Sequence, residues 1–318
     1  MALRIVFRGQ VFQAELAELA ARCKLDYLEV PDEAALLREL PRADALWITP
    51  TYYGAAIPDA FKENPGKLRW IGLTSGGYDI LSRVGVPPGV HLTYAAGVHA
   101  PSVAEHAVAQ LLCLVRQFPF SLDRQRERKW DTSIIPQLRS VEDMNVAIVG
   151  FGAIGQQIAV RVRPFTRRIT AVTRSGTHNP LADQTLPLSK LDEVLADSDV
   201  VFLAVTMNAD SLRMIDARRV ALLKKQGFLV NISRGAVIET DALIAALHSG
   251  AIGGAALDVT DPEPLPPGHP LWTAPRLLIT PHISTFGSKS TGKRLADQFA
   301  RNIARFAKGE PLEGAISL

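Results

Sequence analysis

The chain has little cysteine, little net charge and no long apolar run, and each shortage excludes a class of protein. Only Cys23 and Cys113 occur in 318 residues. They stand far apart, with no CxxC or Cys/His spacing, so both read as buried free thiols rather than a disulfide framework or a zinc site. No metal is expected. The formal charge is +3, from 35 basic and 32 acidic residues, and no basic run stands out, so nucleic acid is not an expected partner. The longest apolar stretch, residues 107–115, is too short to span a bilayer and contains Gln110. Residues 3–7 already read as a strand, with no charged leader and apolar core before them, so no signal peptide is expected. These shortages together predict a cytoplasmic protein that does not touch membranes.

What is present is ordinary for a globular chain with a sizeable core: 47% hydrophobic and 21% charged residues. The length predicts two domains. One stretch stands out. Val146-Ala147-Ile148-Val149 reads as a strand buried on both faces, and Gly150-Phe151-Gly152-Ala153-Ile154-Gly155 turns from it into an amphipathic run. That placement gives each glycine a task in a dinucleotide site. The first permits a tight turn, the second lets a pyrophosphate approach the backbone, and the third lets helix and strand pack closely. The helix start adds unpaired N–H groups and a partial positive charge.

Before this motif the chain alternates strand-like and helix-like segments. Strands are expected at residues 3–8, 25–30, 45–49, 69–74 and 91–95, and helices at 12–22 and at 32–40, the latter capped by Asp32. The rhythm predicts a parallel sheet covered by helices on both faces, with ligands beyond the carboxyl ends of the strands. Two loops leave strands there, one carrying Tyr52 and Tyr53, the other Ser75, Gly76 and Gly77. The glycines would serve a carboxylate or simply a flexible turn, and the tyrosines read as half-buried anchors more readily than as substrate contacts. A long helix is expected from residue 101 to about 128, with Glu105 and His106, taken alone, a structural hydrogen-bonding pair. From residue 145 the alternation resumes, with six strands at 146–149, 169–173, 200–205, 228–232, 255–259 and 277–280. Helices are expected between them at 153–162, 188–195, 217–223 and 240–247. A last helix, 289–308, has no strand of its own to serve and is expected to return to the first domain. The expected architecture is α/β: two doubly wound parallel-sheet domains, with a Rossmann cofactor domain (100–287) inserted in a flavodoxin-like domain (1–99 and 288–318).

The second strand of a NAD-binding unit usually ends in a carboxylate that accepts from the adenosine ribose. Here that position reads Thr173-Arg174-Ser175-Gly176-Thr177, without an acid. A guanidinium among hydroxyls suits a 2′-phosphate, so NADP(H) is expected over NAD(H). Three further strand ends carry unusual polar residues: Asn231-Ile232-Ser233-Arg234-Gly235, Leu257-Asp258-Val259-Thr260-Asp261-Pro262-Glu263, and Thr280-Pro281-His282-Ile283-Ser284. Singly, Arg234 reads as an ion-pair partner, Glu263 as a surface residue of a proline loop and His282 as a core histidine. Together at the edge of a dinucleotide sheet they point to catalysis.

With these segments and Ser102-Val103-Ala104-Glu105-His106 in order, the chain resembles the D-isomer-specific 2-hydroxyacid dehydrogenases over nearly its whole length. The resemblance implies a substrate domain built from both termini, a central cofactor domain and a homodimer formed through the latter. It implies His282 as acid/base, Glu263 as the partner that fixes its tautomer, and Arg234 as the ligand of the 2-oxo acid's carboxylate. It assigns Ser75, Gly76 and Gly77 to the substrate carboxylate, Asp258 to the nicotinamide carboxamide, and the N–H groups of Ala153 and Ile154 to the pyrophosphate. Val205, Thr206, Ile232, Ser233 and Ser284 complete the expected cofactor contacts, and Tyr53 the substrate set, with Tyr52 and Tyr78 beside it for side-chain specificity.

Two positions depart from the family pattern. His99 stands where asparagine is frequent, and Ala204 where proline is. The expected activity is NADPH-dependent, D-stereospecific reduction of a small 2-oxo acid, of the glyoxylate or hydroxypyruvate type. A phosphite dehydrogenase and a non-catalytic nucleotide-sensing corepressor are the alternatives. A formate dehydrogenase is disfavoured by Glu263.

Overall fold

The computed structural model describes residues 2–64 and 66–317; Met1, Pro65 and Leu318, which fall within the expected domain ranges, lie outside the described residues. The chain divides into two compact units, one comprising Met1–His99 and Gly287–Leu318, the other Ala100–Phe286.

The discontinuous unit opens with β1 (Arg4–Arg8), α1 (Gln13–Arg22), β2 (Asp26–Glu29), α2 (Glu33–Glu39), β3 (Ala45–Ile48), α3 (Ala56–Glu63), β4 (Trp70–Leu73), α4 (Asp79–Val84) and β5 (His91–Thr93). The central unit contains α5 (Ala100–Val115), α6 (Phe118–Arg126), β6 (Asn145–Val149), α7 (Ala153–Val162), β7 (Arg168–Thr173) and β8 (Gln184–Pro187). It continues through α8 (Leu191–Asp197), β9 (Val200–Leu203), α9 (Ala217–Val220), β10 (Phe228–Asn231), α10 (Thr240–Ser249), β11 (Gly254–Leu257) and β12 (Leu277–Ile279). The chain then returns to the first unit with α11 (Lys289–Lys308) and β13 (Ala315–Ile316).

The sheet of the discontinuous unit runs β13-β5-β4-β3-β1-β2, parallel except for β13, which adds to β5 antiparallel. Without that edge strand the order is the flavodoxin-like one. Strand periodicity builds the two-sided core. Val6, Leu46 and Ile71 face α2 and α3, while Ile5, Phe7, Trp47 and Trp70 face α1 and α11. Phe299 of α11 sits 4.7 Å from Trp47, and the buried Trp70 indole N–H donates to Thr93 Oγ1 at 2.9 Å. The returning helix thus completes the core of this unit, as its lack of a strand predicted. Asp32 caps α2 by accepting from the Ala35 N–H at 2.7 Å.

The central sheet runs β12-β11-β10-β9-β6-β7-β8, all parallel, which is the Rossmann order with one strand added beyond its six. Val146 and Ile148 face α5 and α7; Ala147 and Val149 face α8 and α10. Both units are doubly wound.

Several expectations are corrected here. The central sheet has seven strands, because β8, an edge strand ending in Pro187, carries too little apolar pattern to announce itself. The helix expected through residue 128 breaks after Val115, and Gln117 enters the left-handed region at φ 55. Pro119 supplies the reason: in a continuous helix its ring would clash with the Val115 carbonyl and its missing N–H would leave that carbonyl unpaired. The segment expected at 188–195 starts as a single 3-10 turn, Leu188–Lys190, before α8, and the one expected at 217–223 shortens to α9. The two thiols are half-buried rather than buried, and burial pushes the Cys113 thiol up. Among the described residues no helix is long and apolar enough to cross a membrane, and no cluster of side chains could hold a metal.

Candidate active site

At the exit of β6 the three glycines do separate work. Gly150 has φ +91, and a Cβ there would lie 2.4 Å from the Ala204 carbonyl oxygen. Gly155 is the point of contact between α7 and this turn, since its Cβ would lie 2.2 Å from the Gly150 carbonyl oxygen. Gly152, by contrast, faces open space, with no atom within 4 Å of where its Cβ would be. It is the N-cap of α7 and offers no side-chain oxygen, so the first-turn N–H groups of Ala153 and Ile154 are not capped by it. A bare, uncapped helix start of this kind fits a dinucleotide pyrophosphate.

At the exit of β7, Arg174, Ser175 and Thr177 are exposed. Ser175 Oγ and Thr177 Oγ1 are 2.7 Å apart, and Thr173 Oγ1 accepts from the Gly176 N–H at 2.9 Å. Arg174 makes no hydrogen bond or ion pair among the described residues, and no carboxylate stands in the turn. These groups fit a phosphorylated ribose.

The exits of β10, β11 and β12 bring Arg234, Glu263 and His282 together. Asn231, fully buried at the end of β10, braces the arginine loop: its Oδ1 accepts from Ser233 N and Oγ, and its Nδ2 donates to the Arg234 carbonyl. Arg234 is half-buried, with a guanidinium N–H on the Ser233 carbonyl at 2.7 Å. Gly235 lets this loop lie against the next, since a Cβ would fall 2.0 Å from the Thr260 carbonyl carbon. From that second loop Glu263 Oε1 reaches His282 Nδ1 at 2.6 Å. The carboxylate only accepts, so Nδ1 carries the proton and Nε2 is left for a ligand.

The hydrogen bond from His282 is the largest influence on Glu263 and holds its carboxyl below the usual range, against burial and with help from the Thr260 N–H and Arg234. The same bond raises His282, while burial and the Arg234 charge oppose it. Arg234 thus acts on both partners. His282 itself adopts φ 53, a conformation that residues with a Cβ hold only under constraint from their surroundings.

Asp258 supplies that constraint. It is almost wholly buried, its carbonyl accepts from the His282 N–H at 2.8 Å, and its carboxylate accepts from Ile283 N, Ser284 N and Thr280 Oγ1. The expectation that Glu105 and His106 pair is corrected: Glu105 is exposed, and His106 Nε2 meets Thr280 Oγ1 at 2.9 Å. The pattern placed them side by side, but successive helical residues face different directions. Ser233 and Ser284 are buried and brace these loops; Ile232 is also buried, while Val205 is half-buried and Thr206 exposed. Asn231, Thr280 and Gln110 carry no expected role in the sequence, and His106 only that of a partner to Glu105. Their only signal is that each is a polar residue in an apolar stretch or at the end of a buried strand, where unpaired groups are costly.

In the discontinuous unit, the loops after β3 and β4 are joined by Thr49 and Thr74, whose hydroxyls lie 3.0 Å apart. Gly76 is exposed and open around its Cα. Tyr53 is corrected as a substrate contact: it is 2% exposed, and its hydroxyl donates to the Gly85 carbonyl at 3.0 Å, so it is an anchor of the core. Burial raises its phenol. Tyr52 lies under the Arg8 guanidinium, and Tyr78 packs 5.9 Å from Tyr94. His99, one of the departures from pattern, is buried with Nε2 3.0 Å from the Thr74 carbonyl oxygen.

Residues 108–284 match the family model of the D-isomer specific 2-hydroxyacid dehydrogenase NAD-binding domain. The glyoxylate reductase of Pyrococcus furiosus is 33% identical over 291 residues, covering 89% of this chain and 84% of that one. The glyoxylate reductase/hydroxypyruvate reductase of Mus musculus is 32% identical over 258 residues, covering 79% and 77%. Among solved structures, a D-isomer specific 2-hydroxyacid dehydrogenase family protein from Aeromonas salmonicida superposes with a TM-score of 0.87 at 29% identity, covering 100% of this chain and 99% of its own.

Proposed function

The chain belongs to the D-isomer specific 2-hydroxyacid dehydrogenase family and is an NAD(P)-dependent oxidoreductase; from that premise we propose that it reduces glyoxylate, hydroxypyruvate or a similarly small 2-oxo acid to the D-2-hydroxy acid, with NADPH preferred. The observation that carries the reading is the 2.6 Å contact between Glu263 and His282 in the field of Arg234.

When bound, NADPH supplies the hydride that reduces the carbonyl carbon. His282 holds, on Nε2, the proton that the carbonyl oxygen takes up, and Glu263 keeps the imidazole charged and oriented until then. Arg234 binds the substrate carboxylate and stabilises the negative charge developing on the oxygen. The Ser75–Gly77 turn, exposed at Gly76, is a further carboxylate-binding element in this proposal. Gly152, Ala153 and Ile154 hold the pyrophosphate. Arg174, flanked by hydroxyls and no acid, takes the 2′-phosphate. The boundaries at 99–100 and 287–288 are proposed as those of the substrate and cofactor domains.

The protein is proposed to act as a homodimer joined through the cofactor domain. Phe118, Leu122, Trp130 and Ile135 support this, being large apolar side chains that are half or more exposed on α6 and the segment after it.

NADPH oxidation followed with glyoxylate, hydroxypyruvate and pyruvate tests the activity. Turnover with the first two is expected; tight NADPH binding with no 2-oxo acid reduced would end the proposal.

A further inference from the structure

We propose that His106 and Gln110 of α5 are positioning residues for the acid/base loop, holding His282 in its reactive pose through Thr280 and Asp258. This rests on the reading of His282 as the proton donor.

Thr280 Oγ1 lies 2.6 Å from Asp258 Oδ1 and gives its only hydrogen to that carboxylate. It then has nothing but lone pairs for the two groups facing it, His106 Nε2 and Gln110 Nε2, each at 2.9 Å. Both must donate, so His106 carries a proton on Nε2. That nitrogen is also 3.5 Å from Asp258 Oδ1. The two α5 residues are one helical turn apart and share a face. They meet the loop from a position that 170 or more residues of chain separate from it.

Gln110 is 3% exposed, among Ala107, Val108, Leu111 and Leu114. An apolar side chain would fill that space without a polar group to satisfy. What the amide and imidazole add is direction. They fix the Thr280 hydroxyl, which orients the Asp258 carboxylate. Asp258 in turn takes the N–H groups of His282, Ile283 and Ser284 on its carbonyl and both carboxylate oxygens. The left-handed backbone at His282 is held at the far end of this chain of contacts. The charged and titratable groups around the imidazole are Glu263, Arg234 and Asp258, with His106 behind Asp258.

The test compares Thr280→Val, Thr280→Ser and His106→Ala in the full-length enzyme, using NADPH with glyoxylate and with hydroxypyruvate. Thr280→Val keeps the shape and removes the hydroxyl; it should lower kcat about tenfold to a hundredfold, the scale of a small misplacement of a catalytic group. It should also move the high-pH limb of the reduction profile to lower pH, because an imidazole that drifts from Glu263 loses the bond that keeps it charged. Thr280→Ser restores the hydroxyl and should restore both kcat and the limb. His106→Ala should shift the limb in the same direction as Thr280→Val, and serves if the valine variant fails to fold. NADPH affinity, read by fluorescence, should stay near that of the parent in all three. A wild-type kcat and limb in Thr280→Val or His106→Ala would overturn the proposal, as would a serine variant as impaired as the valine one. The underlying reading fails separately, in a His282→Ala variant that still turns over.

Discussion

Two strand exits of one sheet solve opposite problems. The turn after β6 is built to keep side chains clear of the helix start: Gly152 opens onto empty space and α7 begins without a side-chain cap. The turn after β12 is held mainly by side chains: Asp258 accepts from Thr280, Ile283 and Ser284, and Glu263 holds His282. A phosphate needs several N–H groups converging on it, which bare backbone supplies best. A proton donor needs one atom held at one angle with a tuned acidity, which backbone alone does not supply. The first exit is therefore sensitive to added bulk and the second to lost partners.

The sharpest break in that contrast is His282→Ala. Turnover should fall by about 10²–10⁴, the range of general acid catalysis, while NADPH affinity stays nearly unchanged. Loss of NADPH binding in this variant, measured by titration, would merge the two exits and show the acid to be misassigned.

Adding bulk at the other exit should act on the scaffold. Gly150→Ala combines φ +91 with a methyl 2.4 Å from the Ala204 carbonyl oxygen. Strain and overpacking of this kind cost about 2–5 kcal/mol, readable by urea unfolding. An unfolding midpoint equal to the parent's would mean that the turn has more room than the contact distances imply.

Arg174→Ala tests whether the nucleotide exits also use a side chain where the ligand requires one. Losing a charged hydrogen-bond donor to a phosphate weakens binding by about 1.5–3 kcal/mol, so NADPH affinity should drop roughly ten- to a hundredfold. NADH affinity should barely change. Equal losses for both cofactors would remove the 2′-phosphate assignment.

The smallest effect is a displacement along the pH axis. With His282 as the proposed proton donor, the rate of reduction should fall as pH rises through the raised folded value of that imidazole. Glu263→Gln removes the largest raising cause and leaves burial and Arg234, which lower it, opposed only by the smaller influence of Asp258. The high-pH limb should move to lower pH; a limb that stays in place would mean that Glu263 orients the ring without tuning it. The pair also affects stability. The contribution of His282 is fully present below its ordinary value near 6.5 and is lost as pH rises through the raised one. That of Glu263 is present above the ordinary carboxylate value and is lost as pH falls through the lowered one. Both side chains are about two-fifths exposed, so solvent screens this term and catalysis is the better readout.

The two exits also differ in how far they could be read from residues alone. The glycine turn is legible because its requirements are backbone requirements at fixed spacing, and so is the missing acid beside Arg174. Arg234, Glu263 and His282 could be picked out as reactive types at strand ends. Tyr53 could not be placed, because whether a phenol faces a ligand or donates to Gly85 depends on how α4 and the loop after β3 pack. The break after Val115 had a local cause in Pro119, whereas β8 had almost no apolar signal to offer.

Residue order by itself determined the two doubly wound units, the helix that returns to the first of them and the nucleotide turn. Each depends on periodicity, or on glycine and proline acting over a few neighbours. Only the tertiary structure decided that His106 and Gln110 meet Thr280, and that Asp258 holds residues 282–284. Hydrogen bonds between residues 106 and 280 leave no trace in local pattern, because their geometry exists only once α5 has packed against the ends of the strands.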